Sequence, residues 1–305
     1  MSLNESGFRS GFVAVVGRPN VGKSTLVNQL VGRKVAITSD RPQTTRTAIR
    51  GVRTTATSQI VFLDTPGIHK PRTTLGERTN ARARETLDEV DIVCFVVEGN
   101  APIGRGDRFI AELVQAAGST RVLVVNKIDI AARTDVIDHL AAATDALGEF
   151  DAYVPVSAVT GEGVDALVAE FEAHLPEGPH YFPDGEVTDQ PETFLAAELV
   201  REQLLRVARD ELPHSIAVVV EPLDEDDARP AAGGGPLRLR AVIQVERDSQ
   251  KGMVIGKGGA VLKEAGTNAR HELEALLGVP VYLETRVKVD PDWQRRPKSL
   301  DRLGF

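Results

Sequence analysis

The chain of 305 residues is poor in the residues that staple secreted proteins or anchor membrane proteins. It has one cysteine, Cys94, which excludes an internal disulfide. Set in the run Ile92-Val93-Cys94-Phe95-Val96-Val97, that thiol reads as core filler rather than nucleophile. No apolar run approaches the roughly 18 residues needed to span a bilayer. The opening MSLNESGFRSG lacks the basic-then-apolar order of a signal peptide, so a cytosolic protein with a short disordered lead-in over residues 1–10 is expected. Cationic excess is absent too: the formal net charge of −8 argues against nonspecific coating of nucleic acid. From Pro191 onward, however, 17 basic residues stand against 19 acidic ones, and residues 221–229 hold five of those acids and one of the bases. The remainder, 16 against 14, is slightly basic and permits a local RNA site. His69, His139, His174, His180, His214 and His271 show no metal-ligand spacing and read as surface or linker positions. At 42% hydrophobic and 26% charged residues, the length suffices for two globular domains.

What is present is organised around Gly17-Arg18-Pro19-Asn20-Val21-Gly22-Lys23-Ser24. The apolar run from Gly11 to Val16 precedes it, and an amphipathic stretch from Thr25 to Val31 follows, so a buried strand meets a helix across a glycine-bounded loop. This is the Walker A form in its proper setting. Its glycines let backbone N–H groups turn toward phosphate oxygens and the helix N-terminus adds positive charge. Lys23 would reach the β- and γ-phosphates, and Ser24 would bind Mg²⁺.

The polar, proline-interrupted stretch 34–48 leads to strands over residues 49–53 and 59–63. The second strand ends in Asp64-Thr65-Pro66-Gly67, where a nucleotide-binding α/β sheet places a Mg²⁺ carboxylate and an N–H that senses the γ-phosphate. Residues 68–79 show no apolar period and read as mobile, ahead of a charged helix over 80–90. Strands at 92–98, 121–126 and 153–155 then alternate with helices at 107–117, 134–147 and 163–174, which implies a mostly parallel sheet covered on both faces. Asn126-Lys127-Ile128-Asp129 follows the fifth strand. Guanine offers its ring N–H and exocyclic amine to one carboxylate, Asp129; adenine offers no such pair. Asn126 would brace the loops, the stem of Lys127 would lie along the base, and Ser157-Ala158 would present an N–H to the guanine oxygen.

Residues 176–191, rich in proline, glycine and acids, mark a linker. Beyond it come a helix over 194–211, a strand over 215–221, an acidic glycine-rich tip over 224–235 with nothing to bury, and a strand over 237–245. Then follows Lys251-Gly252-Met253-Val254-Ile255-Gly256-Lys257-Gly258-Gly259, a helix over 260–277 and a strand over 281–289. This element order, with a GxxG loop between two helices, is that of a prokaryotic-type KH domain. Such a loop lets single-stranded RNA approach the backbone closely. Lys251, Lys257 and Lys263 would supply charge, and Val254 and Ile255 would line a groove for about four nucleotides.

An intact GTPase motif set followed by VIGKGGAVLKEAG resembles the Era family of bacterial ribosome-assembly GTPases from Gly11 to Phe305. The segments RPQTTRT, ELPHSIAVVVE, VERDSQKGMVIGKGG and a VKVDPDW tail ending in LDRLGF are far more specific than Walker A. The resemblance implies an α/β chain: a Ras-like GTPase domain over 11–175, then a smaller α+β type II KH domain over 192–290 and a tail over 291–305. It implies Mg²⁺-dependent hydrolysis of GTP to GDP by a default monomer. It further implies binding to the 3′ end of 16S ribosomal RNA during maturation of the 30S subunit, in the cytoplasm. Peripheral contact with the inner face of the cell membrane is also implied, with no separate support in the sequence.

Carried to this chain, the first mobile loop would give Mg²⁺ the hydroxyl of Thr45, with Thr44 the alternative. Asp64 would hold Mg²⁺ through a water, the Gly67 N–H would meet the γ-phosphate, and both loops would order on GTP. In the Ras pattern a glutamine directly after that glycine orients the attacking water; here the place belongs to Ile68. Slow intrinsic hydrolysis, accelerated by RNA or the ribosomal subunit, is therefore expected. Arg46 and Lys70 stand nearby as candidate charge stabilisers, though loop cations of this kind read first as solvated. Two other readings remain open. One is a signalling or membrane-linked GTPase with the KH-like unit as a protein-interaction module. The other is a P-loop kinase or ATPase, against which Asp129 argues.

Overall fold

Strands with an unbroken apolar run must be covered on both faces, and three strands here carry one. In a computed structural model, which describes residues 7–39, 44–47, 49–68, 73–207, 215–223 and 235–305, β1 (Arg9–Gly17), β4 (Ile92–Glu98) and β5 (Thr120–Asn126) form the centre of a six-stranded sheet. The spatial order is β2-β3-β1-β4-β5-β6, with β2 (Ile49–Thr54), β3 (Ser58–Asp64) and β6 (Ala152–Pro155) toward the edges. Only β2 runs antiparallel to its neighbour within this sheet.

The period-two rule sorts the side chains. Val13, Val15, Ile92, Cys94, Val96, Val122 and Val124 enter one apolar cluster with Leu26, Val27 and Leu30 of α1 (Lys23–Val31) and Leu167, Val168 and Phe171 of α5 (Val164–His174). Their neighbours Ala14, Val16, Val93, Phe95, Val97, Leu123 and Val125 enter the opposite cluster. That face is covered by α2 (Thr74–Asp88), α3 (Arg105–Ala116) and α4 (Arg133–Leu147). Cys94 is fully buried, and burial pushes its thiol far above the ordinary range, as expected of core filler. The consequence for function is positional: the carboxyl ends of β1, β3, β5 and β6 all open at one edge of the sheet, where the motif loops lie.

Several expectations change. The lead-in does not extend to residue 10: β1 begins at Arg9, Phe8 is buried, and its ring stacks on His180 at 3.9 Å. Residues 1–6 lie outside the described residues. The stretch read as a linker is bound to the first unit up to its boundary at Asp189. Pro176 O accepts from Ser10 N, Val187 O accepts from Val52 N on the outer edge of β2, and the Gln59 side chain bonds to Tyr181 and Phe182 main chain. An exposed sheet edge is thereby paired, which a free tether would not do. Helix α2 starts at Thr74, inside the segment read as mobile, and residues 69–72 with His69 and Lys70 lie outside the described residues. His139 is buried, not at the surface, and burial holds its imidazole below the ordinary range.

The second unit, Gln190–Phe305, has a three-stranded sheet of order β7-β8-β9. β7 (Ala217–Pro222) is antiparallel to β8 (Leu237–Val245), which is parallel to β9 (Val281–Val289). Against it pack α6 (Glu192–Val207), α7 (Asp248–Ile255) and α8 (Ala260–Leu277) around Leu199, Leu204, Ile243, Val254, Ala269 and Leu273. The end of the first helix as read from sequence (208–211), His214 and residues 224–234 of the acidic tip lie outside the described residues. The tail is anchored: Trp293 is fully buried with its indole N–H 3.0 Å from Ser215 O, and α9 (Pro297–Arg302) follows.

Candidate nucleotide and RNA sites

The Walker A loop turns through left-handed backbone at Asn20 and Gly22, with φ of 68° and 97°. A Cβ on Gly22 would sit 2.4 Å from the Asn126 side-chain nitrogen, so only glycine fits both the dihedral and the space. The first helical bond of α1 is Leu26 N to Gly22 O, so the amides before it are not part of the helical ladder, the arrangement that suits an anion at a helix N-terminus. Lys23 is buried, donating from Nζ to Gly17 O at 3.1 Å and Arg18 O at 3.0 Å. Burial lowers its pKa to about 8, partly opposed by the negative charge of Asp64. Asn28 accepts from Val35 and Ala36 N–H and donates to Ala36 O, which fixes the chain as it leaves α1 toward the Thr45 loop.

Three hard oxygens converge. Ser24 Oγ donates to Asp64 Oδ2 at 2.7 Å, Thr45 Oγ1 donates to the same oxygen at 2.9 Å, and the two hydroxyls are 2.9 Å apart. Thr45 meets the Ser24–Asp64 pair. Hydroxyls and a carboxylate are the donor set that suits Mg²⁺, so the residues fit that ion. At the end of β3, Thr65 turns its hydroxyl to Val15 O at 2.8 Å and so ties the loop to β1 rather than to a ligand. Pro66 leads into Gly67, where a Cβ would come within 2.9 Å of Pro19 N; Gly67 therefore packs directly on the Walker A loop. Arg46 is buried, not solvated, and Ile68 is buried in the core cluster with Val16 and Phe95.

The base-side residues are also brought together. Asn126 donates to Val21 O at 2.8 Å and accepts from Ala158 N at 3.0 Å, joining the phosphate loop to the Ser157–Ala158 loop as its bracing role requires. Ser157 Oγ donates to Asp129 Oδ1 at 2.8 Å, fixing a carboxylate that is otherwise exposed. Lys127 adopts φ 67° and pairs with Glu98. The Arg18 side chain points away from the loop interior, to Asp107 at 2.7 Å and Glu98 at 3.4 Å. Sequence reading missed Glu98 and Asp107, whose only signal is a carboxylate at a strand end and one in a helix first turn.

In the second unit, Gly256, Gly258 and Gly259 all have positive φ, and a Cβ on Gly258 or Gly259 would meet nothing within 4 Å. Open space beside left-handed glycines makes that backbone approachable by a polyanion. Lys257 is exposed, Lys251 is half-buried and Ile255 is half-buried. Val254 does not line a groove: it is 1% exposed and belongs to the core, because α7 turns that face onto the sheet. A groove of about 350 Å³ lies instead between α8 and β9. Gly259, Leu262, Lys263, Gly266, Thr267 and Arg270 form one helix face, with Leu283 and Thr285 opposite. Arg270 is held by both Glu274 oxygens, and the Val281 N–H, with Arg270 beside it, keeps the Glu274 carboxyl below its ordinary range. Helical spacing from Gly259 was the available signal for this face.

Comparisons with known proteins agree with both units. A family described as 50S ribosome-binding GTPase matches residues 12–127, and a KH domain family matches residues 211–294. GTPase Era of Mycobacterium tuberculosis is 53% identical over 302 residues, covering 98% of this chain and 99% of its own. GTPase Era of Mycolicibacterium paratuberculosis is 52% identical over 300 residues, with the same coverage. Among solved structures, Era in complex with MgGDPNP and nucleotides 1506–1542 of 16S ribosomal RNA superposes with a TM-score of 0.91. That protein is 39% identical, and the match covers 97% of this chain and 99% of the other. A tyrosine-to-alanine variant of Aquifex aeolicus Era bound to GDP.AlF4- matches with the same score, identity and coverage. With a GTPase unit, a KH unit and this identity over nearly the whole length, the chain belongs to the Era family of GTPases.

Proposed function

We propose that this protein is a Mg²⁺-dependent GTPase switch that binds the 3′ end of 16S ribosomal RNA and acts in maturation of the 30S subunit in the cytoplasm. The observation that carries the reading is the joint geometry of Ser24, Thr45 and Asp64 around one carboxylate oxygen and of Asn126, Asp129 and Ser157 around the base position. Ser24, Thr45 and Asp64 would hold Mg²⁺, which when bound neutralises charge on the β- and γ-phosphates. Lys23 brings its ammonium to the same oxygens, the Walker A main chain from Gly17 to Thr25 cradles them, and the Gly67 N–H reads the γ-phosphate. Asp129 accepts from guanine, Lys127 lies along it, and Ala158 N–H meets its oxygen.

The depressed pKa of Lys23 has a measurable consequence. Phosphates favour its charged form, so nucleotide raises the pKa from about 8. Near pH 6.5 Lys23 is protonated with or without nucleotide and exchanges no proton. At pH 9 it is mostly neutral in the free protein, so GDP binding should take up close to one proton and weaken by roughly tenfold per further pH unit. Calorimetry at fixed Mg²⁺ in buffers of different ionisation enthalpy reads this directly. Zero proton uptake at pH 9 would mean that Lys23 is already charged in the free protein and that burial does not lower its pKa.

For the second unit, Lys251, Ile255, Gly256 to Gly259 and Lys263, together with Thr267 and Arg270, form the single-strand interface. A short RNA matching the 16S 3′ end should bind the protein loaded with a non-hydrolysable GTP analogue. Replacing Lys257 and Gly258 together by Asp should weaken that binding at least about tenfold at fixed salt. Unchanged binding would turn the reading toward a signalling GTPase whose KH unit contacts protein.

A further inference from the structure

β4 ends in Glu98, a carboxylate that none of the nucleotide motifs requires. Its Oε1 takes the ammonium of Lys127, and Arg18 Nη2 approaches its Oε2 at 3.4 Å. Arg18 in turn donates from Nε to Asp107 Oδ1 at 2.7 Å, and Asp107, 1% exposed, uses its other oxygen to accept Gly104 N at 2.8 Å. A chain of charge-assisted bonds therefore runs from the base side of the site, through a Walker A residue, to the first turn of α3. Lys127 needs such a tether. Its φ of 67° is left-handed for a residue that carries a Cβ, and a four-carbon stem has many rotamers to lose when it lies along a base. Glu98 is three-quarters or more shielded from solvent, where a paired charge is screened less than at the surface.

We infer that Glu98 is a positioning residue for guanine recognition: it fixes the stem of Lys127 along the base and locks it to Arg18, so that the base loop and the phosphate loop hold nucleotide as one piece. The inference rests on the guanine-nucleotide site proposed above. It assigns Glu98 to nucleotide residence time and not to the reaction at the γ-phosphate, which the proposed function gives to Lys23, Thr45 and Gly67.

The full-length protein, loaded with Mg²⁺ and a fluorescent GDP, provides the test by stopped-flow chase, with single-turnover hydrolysis of preloaded GTP measured beside it. Glu98→Gln should speed GDP release about tenfold, the scale of one charge-assisted hydrogen bond, and alter single-turnover hydrolysis less than about twofold. Lys127→Met should speed release as well. Because Glu98 acts through Lys127, the double variant should release no faster than the faster single one. Glu98→Asp keeps the charge on a shorter stem and should fall between wild type and Glu98→Gln; it carries the test if the glutamine variant does not fold. Unchanged release overturns the inference, as do additive effects in the double variant, or release and hydrolysis deteriorating together. If the unaltered protein holds neither GDP nor GTP, the guanine reading itself falls before any variant is compared.

Discussion

Asp129→Asn should turn a protein that prefers GTP into one that prefers xanthosine triphosphate, with the ratio of the two affinities changing by about 10³ or more. The size follows from buried hydrogen-bond mismatch: a site built to pair with specific donors rejects an analogue lacking them by large factors, because polar groups are left facing each other unpaired. Guanine presents two N–H donors to the carboxylate. Asparagine converts one of the two acceptor oxygens into an NH₂ donor, which opposes guanine's amine and suits the oxygen that xanthine carries in its place. The local structure favours this orientation. Ser157 Oγ already donates to Asp129 Oδ1 at 2.8 Å, so an asparagine keeps its oxygen toward Ser157 and turns its NH₂ to the base. Competition of GTP, xanthosine triphosphate and ATP against a fluorescent GDP measures the order for both proteins. ATP binding as tight as GTP to the unaltered protein would mean a kinase or ATPase. An unchanged order in the variant would take Asp129 out of the base site.

The parts of this site that were legible in the sequence are those where chemistry and local backbone coincide within a few residues. GRPNVGKS, DTPG and NKID each sit at a strand end, and strands of unbroken apolar character announce a sheet buried on both faces. Asn126 and Asp64 are singled out because each stands at a fixed place in its motif, whereas the loop of Thr45 offers Thr44 as well, and it is the bonds of Thr45 to Ser24 and Asp64 that favour it. What was not legible depends on distance along the chain. The Arg18 side chain, inside the Walker A stretch, has its partner, Asp107, 89 residues away, which no local pattern announces. Residues 176–189 have linker composition, yet the Gln59 side chain and the Val52 N–H bond to their main chain, which composition cannot show. The start of α2 was hidden because Thr-Leu-Gly-Glu-Arg carries no apolar stripe, and helices of charged residues leave little periodic signal. Val254 and Ile255 were assigned alike from neighbouring positions, while α7 turns one into the core and leaves the other half-exposed. The choice of face is a tertiary fact, and so is the groove formed by Arg270 and Thr285 from separate elements.

Ile68→Gln should destabilise the first unit by about 3–5 kcal/mol without accelerating GTP hydrolysis. Position alone suggests the opposite, since a glutamine directly after the glycine would restore the residue that aligns water in the Ras pattern. Packing decides otherwise. Ile68 is 2% exposed in a cluster with Val16, Leu87 and Phe95, so its side chain is directed into the core. Removing it forfeits roughly 1.5–3 kcal/mol of apolar burial, and a buried amide without partners costs about 1–3 kcal/mol more. A glutamine that reached the nucleotide would have to swing out of the core first. Urea unfolding of the nucleotide-loaded protein and single-turnover hydrolysis separate the outcomes: a tenfold faster reaction at unchanged stability would show that the side chain at 68 faces the γ-phosphate. The same packing locates the source of catalysis. With the Ile68 side chain committed to the core, the attacking water is left to be oriented by main-chain groups, a rearranged loop or a bound partner. Hydrolysis by the unaltered protein should therefore quicken when RNA carrying the 16S 3′ end, or the small subunit, is added. An unchanged rate with both would overturn acceleration by a bound partner.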